Sequence, residues 1–69
     1  MRISARNILE GVIKTFVKGS TTAHVEIELK GGAIVTASIT NEAVDELGLA
    51  AGKPAHAVIK SSDVMIAVA

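Results

Sequence analysis

The chain has 69 residues, with seven basic and seven acidic side chains, no cysteine and a single aromatic residue, Phe16. Balanced charge argues against a general polyanion binder, because neutralising many phosphates requires a surplus of lysine and arginine. Without disulfides or thiolate metal sites, so short a chain is expected to gain stability by forming oligomers. No apolar run reaches the ~20 residues of a membrane span. We therefore expect one soluble, cytoplasmic domain over residues 1–69, with no membrane or nucleic-acid partner.

Alternating apolar residues predict three strands in the first half of the chain. The first ends near Lys18, and its predicted inner face consists of Leu9, Gly11, Ile13, Thr15 and Val17. The opposite face carries Val12 and Phe16, which we expect another chain to cover, while Gly11 indicates a bulge or bend. Residues 21–29 and 33–39 alternate as two further strands, joined by a hairpin at two adjacent glycines.

The second half of the chain begins with a change of period. From Thr40 the apolar residues recur about every 3.6 positions, which predicts a short helix capped by Thr40 or Asn41 and stopped by Gly48. Two strands follow, at residues 55–60 and 64–68. The last contains no polar residue, so we expect it to be central or buried at a subunit contact. This order predicts an all-β, OB-like five-stranded barrel with one helix between strands 3 and 4.

Two donor-rich stretches lie near opposite ends of the chain. Residues 4–7 read Ser-Ala-Arg-Asn, and residues 60–63 read Lys-Ser-Ser-Asp between two apolar strands. A simple turn needs only Gly, Asn or Pro, whereas the second stretch offers an ammonium group, two hydroxyls and backbone N–H groups, which suit a small oxyanion. We expect the two stretches to meet around an anion, within or between subunits. The alternative is that their cations only shield solvated strand ends.

These motifs resemble those of a known family. Residues 4–7, the hairpin at residues 31–32, the helix end Glu-Leu-Gly-Leu at residues 46–49 and residues 58–65 are together similar to the molbindins. Molbindins are small molybdate-binding proteins whose module also occurs, as the TOBE or Mop domain, in molybdate transporter ATPases and molybdate-responsive regulators. The resemblance implies an OB-like subunit, a hexamer built as a trimer of dimers, and molybdate or tungstate bound at subunit interfaces.

The resemblance also implies which residues hold the anion. Ala43 stands where some relatives have a serine, which leaves Thr40 as the nearest substitute hydroxyl. The chain also has isoleucine at position 8, where many relatives have glutamine. Ala5 and Asn7 would offer backbone or amide donors, and the other implied residues would offer side chains. The implied molybdate-binding set is Ser4, Ala5, Arg6, Asn7, Thr40, Lys60, Ser61 and Ser62.

The leading hypothesis is therefore intracellular storage of molybdate and tungstate, and two other functions remain open. An OB-like barrel could bind single-stranded nucleic acid, although that function requires aromatic platforms and a basic groove. The domain could also be a general oxyanion-binding or oligomerisation module in a regulatory protein. We expect no enzyme, because no nucleophile, base and acid form a recognisable motif. His24 and His56 are interpreted as solvated strand residues rather than metal ligands.

Overall fold

Four antiparallel strands and one short helix form the regular structure of the computed structural model, which describes residues 1–69. The elements are β1 Asn7–Lys18, β2 Thr22–Leu29, β3 Ile34–Thr40, α1 Asn41–Glu46 and β4 Pro54–Ile59. The strands form one curled sheet in the order β3-β2-β1-β4. The prediction of a mostly β chain with its helix between strands 3 and 4 is confirmed.

The hairpin of β2 and β3 follows the predicted alternation. The inward side chains of β2 are buried, and three of them, Ala23, Val25 and Ile27, belong to the core. The outer side chains Thr22, His24 and Glu28 are exposed. The hairpin closes where the Leu29 N–H donates to the Ala33 carbonyl at 2.7 Å. Between these residues, Gly31 and Gly32 both have φ near 99°, a conformation that residues with a Cβ rarely adopt.

The long strand β1 connects the two halves of the sheet. Its first half pairs with β4, from Asn7 opposite Ile59 to Val12 opposite Pro54, and its second half pairs with β2. Both β2 and β4 pair with β1 at Gly11, where the strands approach closely. A Cβ atom there would lie 2.5 Å from the carbonyl oxygen of Glu28, so only glycine fits without a backbone shift.

A register shift in β1 corrects one prediction. Between Ile13 and Thr15 the pairing with β2 skips one residue, which is a β-bulge. An extra residue inverts the alternation, so Phe16 packs against the core while Val17 is exposed. The predicted inner face of β1 is therefore wrong beyond Ile13, and Phe16 needs no cover from another chain. Because this only aromatic ring packs against the core, it is also not a free platform for stacking nucleic-acid bases.

The helix α1 is fixed by side chains at both ends. The Thr40 hydroxyl accepts a hydrogen bond from the Ala43 N–H at 3.1 Å, which is an N-cap, and Val44 is buried in the core. At the other end the Lys53 ammonium donates to the carbonyls of Leu47 at 2.8 Å and Gly48 at 3.0 Å. The helix has six residues, and no helix of the chain has the length and apolar content needed to cross a membrane.

The predicted fifth strand is not formed by the single chain. Residues 64–69 pair with no strand, and Met65, Ile66 and Val68 are 92%, 86% and 91% exposed. The edges of β3 and β4 are not joined, so the sheet is not a closed barrel. Residues of both edge strands, including Ala37, Ile39, Ala55 and Ala57, instead line an apolar cleft of about 240 Å³. A strand requires a neighbouring edge to pair with, and within its own chain this apolar segment pairs with neither of the two free edges.

Candidate anion site

The antiparallel pairing of β1 and β4 brings the two chain ends together. Asn7 lies opposite Ile59 in the last pair of this ladder, so the residues before Asn7 and after Ile59 leave the sheet at the same end. The Asn7 side-chain amide strengthens this junction by donating to the Ile59 carbonyl at 3.2 Å. The position of the two donor-rich stretches therefore follows directly from strand register.

The second donor-rich stretch is folded as a single 3₁₀ turn over Ser61–Asp63. The Asp63 N–H donates to the Lys60 carbonyl at 2.9 Å, and the Val64 N–H donates to the Ser61 carbonyl at 3.3 Å. These bonds use the N–H group of the last residue of the turn and that of the residue after it. The N–H groups of Ser61 and Ser62 at its beginning have no partner within the turn and remain available to an acceptor.

A cavity of about 440 Å³ lies where the two stretches meet. Both ends of the chain contribute to it within one subunit, whereas the sequence left open whether they meet within or between subunits. The lining residues are Ile3, Ser4, Ala5, Arg6, Val58, Lys60, Ser61 and Ser62. Six of the eight predicted site residues are therefore among those that line one cavity.

The charge of this cavity favours an anion. Arg6 and Lys60 are its only charged lining residues, and both are cationic. None of the lining side chains takes part in a hydrogen bond or salt bridge within the chain, in contrast to Lys18, which lies 2.6 Å from an Asp45 carboxylate oxygen. Cations, hydroxyls and free N–H groups without a competing carboxylate form a donor set suited to a small oxyanion.

A second, wider depression beside the Gly31–Gly32 hairpin has a different character. Its volume is about 680 Å³, and its charged lining residues are Glu10, Glu28 and Lys30. Two carboxylates against one ammonium group disfavour an anion there. The smaller cavity at the chain ends is therefore the candidate site.

Two predicted site residues lie outside the cavity lining. The Asn7 amide is used to join the two chain ends, and the Thr40 hydroxyl caps α1. Conversely, the sequence analysis did not identify Ile3 and Val58 as lining residues. Their apolar side chains carry no donor. Ile3 directly precedes Ser4, and Val58 lies two positions before Lys60, so only their closeness in sequence to the donor-rich stretches could have indicated that they line the cavity.

Comparisons with known proteins agree with the fold. The TOBE domain family matches residues 3–66. The probable molybdenum-pterin-binding protein of Haemophilus influenzae is 43% identical over 68 residues, which cover 99% of this chain and 99% of that protein. Some other relatives are longer, and the chain spans only 24% or 25% of their length.

Two solved structures are also similar. A molybdate-binding protein from Sporomusa ovata has a TM-score of 0.92 at 34% identity, over 99% of this chain and 100% of that one. The cytoplasmic molybdate-binding protein ModG, with molybdate bound, has a TM-score of 0.91 at 51% identity, over 94% of this chain and 46% of that one. The chain therefore belongs to the TOBE domain family, and the resemblance inferred from its motifs is confirmed.

Proposed function

We propose that the protein binds molybdate and tungstate in the cavity formed by residues 3–6, 58 and 60–62. The observation that carries this proposal is the meeting of two cations and three serine hydroxyls around a cavity without a carboxylate. The relatives support it, because ModG is a molybdate-binding protein whose structure has molybdate bound. The biological role that follows is intracellular storage and homeostasis of the oxyanion, in the cytoplasm like ModG.

The chemistry of a tetrahedral dianion fits this donor set. Each of its four oxygens must receive hydrogen bonds when water is removed, and donors that carry charge form the strongest of these bonds. Arg6 would present a planar fork of N–H groups, and Lys60 would present a compact positive charge. The remaining donors are the hydroxyls of Ser4, Ser61 and Ser62 and the backbone N–H of Ala5. This set binds and releases an ion, and the proposal includes no catalytic step.

The other two predicted residues take different roles in this proposal. Asn7 orients the site by joining the two chain ends through Ile59, since one of its amide N–H bonds is already used there. Thr40 caps α1 in its own chain and would reach an anion only as a residue of a second copy. The cavity has room for such a contribution, because its volume of about 440 Å³ exceeds the space of four oxygen atoms, on the order of 100 Å³.

Assembly into a homo-oligomer is part of the proposal. Residues 64–69 are too apolar to remain in water, since each fully buried Val, Ile or Met side chain contributes roughly 1.5–3 kcal/mol. The apolar cleft between β3 and β4 has matching chemistry and lacks an occupant within the chain. We infer that the segment of a second copy enters this cleft as a fifth strand and closes an OB-like barrel. The hexamer implied by the family resemblance is the expected state.

Native mass spectrometry with and without molybdate tests the function and the assembly together. A hexamer that gains mass in units of the oxyanion is expected. Competition titrations should then show comparable affinities for molybdate and tungstate and a much lower affinity for sulfate, because fixed donors discriminate by ion size. A folded monomer that retains no molybdate would contradict the proposal, and equal displacement by sulfate would make the protein a general oxyanion binder.

A further inference from the structure

The lining of the candidate cavity includes two branched apolar side chains as well as donors, and these two side chains are called its apolar side. Each of the two chain ends contributes a branched apolar residue to the lining, Ile3 from the N-terminal segment and Val58 from β4. Neither belongs to the hydrophobic core or to the residues packed against it, and they remain 48% and 42% exposed. Ile3 therefore has no role in the packing of the subunit core, whereas Val58 also borders the apolar cleft between β3 and β4.

An anion in this cavity would meet the hydrocarbon side chains of Ile3 and Val58 as well as the donors. Where it faces Ile3 and Val58 it loses water molecules and receives no hydrogen bond in exchange. The cost of removing water from an ion of given charge rises as the ion becomes smaller, because hydration energy varies inversely with radius. Sulfate is smaller than molybdate and carries the same charge, so the apolar side penalises sulfate more.

We propose that Ile3 and Val58 are specificity-determining residues that favour large tetrahedral dianions over sulfate by withholding hydrogen bonds from the part of the anion that faces them. This inference rests on the proposed function and adds a second source of selectivity to the spacing of the donors. It assigns the preference for a weakly hydrated ion to two residues that themselves form no hydrogen bond with it.

Threonine substitutions test the inference with little change in shape. Ile3→Thr and Val58→Thr each keep a β-branched side chain and add a hydroxyl that can donate to the anion. The controls Ile34→Thr and Val12→Thr make the same changes at outer positions of the sheet, where the side chains are 39% and 38% exposed and do not line the cavity. Ile3 is the cleaner probe, because Val58 also lines the apolar cleft between β3 and β4.

Calorimetric titration of the assembled protein with molybdate, and competition with sulfate, give the ratio of the two dissociation constants. We expect each cavity variant to lower the sulfate-to-molybdate ratio by about threefold to tenfold, since one new hydrogen bond reduces the cost of dehydration. Ile3→Val, which keeps the apolar side, should retain the wild-type ratio, and so should both controls. Thermal midpoints without anion should be unchanged in Ile3→Thr.

The outcomes separate this inference from the function on which it rests. Wild-type protein that binds no molybdate would overturn both. Wild-type protein that prefers molybdate, with the ratio unchanged in Ile3→Thr and Val58→Thr, would overturn only the role of the apolar side. An equal change of ratio in Ile34→Thr and Val12→Thr would also overturn it, because the effect would then arise from any surface hydroxyl.

Discussion

The β2–β3 hairpin and the two chain ends differ in whether their polar groups are paired and their apolar groups buried within the chain. In the hairpin, inward apolar residues are buried and the backbone groups pair across the strands. At the ends, a cluster of cations and hydroxyls has no partner within the chain, and three large apolar side chains of residues 64–69 are almost fully exposed. The same 69 residues thus contain one region that is complete by itself and one that is not.

This difference indicates where the function lies. Unpaired donors and exposed apolar side chains both cost free energy in a single chain, and a surface that retains both is expected to be completed by something else. We expect an anion to bind the donors and a second copy of the chain to bury the apolar segment. Substitutions in different parts of the chain should therefore have different effects, which are ordered below from the largest to the smallest.

The largest effect is expected from a charge in the C-terminal segment. Ile66→Asp would place a carboxylate where the proposed fifth strand enters an apolar cleft, and burying an unpaired charge prevents the contact. Sedimentation should show loss of the oligomer, while circular dichroism should retain the β signal because Ile66 lies outside the core. Val17→Asp, an exposed position on β1, is the control and should leave the assembly intact. A variant at position 66 that sediments like wild type would refute the exchange of this segment.

The next effect concerns the two cations of the cavity. Lys60→Ala and Arg6→Ala each remove a charge-assisted hydrogen bond, which should weaken molybdate binding by about 1.5–3 kcal/mol, or roughly tenfold to a hundredfold. Added molybdate should raise the thermal midpoint of wild type far more than that of either variant. Lys30→Ala at the hairpin is the control, since Lys30 lies outside the cavity. If all three variants bound molybdate with the same affinity, Arg6 and Lys60 would not belong to the anion site.

Within the sheet, a smaller effect is expected at Gly11, where β1 lies against β2 of the hairpin. Gly11→Ala would place a Cβ atom 2.5 Å from the Glu28 carbonyl oxygen, so β1 and β2 must separate locally. Overpacking of this kind costs about 1–3 kcal/mol of unfolding free energy. Denaturant unfolding measures that loss, and Gly32→Ala is a useful comparison because only its positive φ, not a nearby atom, opposes the new side chain. Equal stability of Gly11→Ala and wild type would contradict the close approach.

The sequence predicted the β2–β3 hairpin well because its faces alternate without interruption between water and core. It failed along β1, where a single extra residue at the bulge between Ile13 and Thr15 inverts every later side chain and has no distinct composition. It also assigned a strand to residues 64–68 from apolar content alone. That content indicates burial, but it does not specify a pairing partner, and in the single chain the segment pairs with neither edge strand.

The candidate site was predictable in part for a similar reason. Donor-rich residues such as Lys60 and Ser61 are visible in a sequence because their chemistry is unusual between apolar strands. The apolar lining residues Ile3 and Val58 are not distinguishable from the many other aliphatic residues until the register of β1 and β4 brings them to the cavity. Thr40 is the opposite case. Its hydroxyl was assigned to the anion from the family resemblance, but within the chain it caps α1.

The smallest effect is expected at Thr40, and it distinguishes the two roles of that hydroxyl. Thr40→Ala removes the hydrogen bond from the Ala43 N–H, and loss of an N-cap costs about 0.5–2 kcal/mol of unfolding free energy. If Thr40 acts only as a cap, molybdate affinity should stay at the wild-type value, and Thr40→Ser should restore stability because serine caps equally well. Denaturant unfolding and calorimetric titration of the same samples measure the two quantities. A fall in molybdate affinity with Thr40→Ala would instead mean that a second copy supplies this hydroxyl to the anion, and the site would then depend on the assembly.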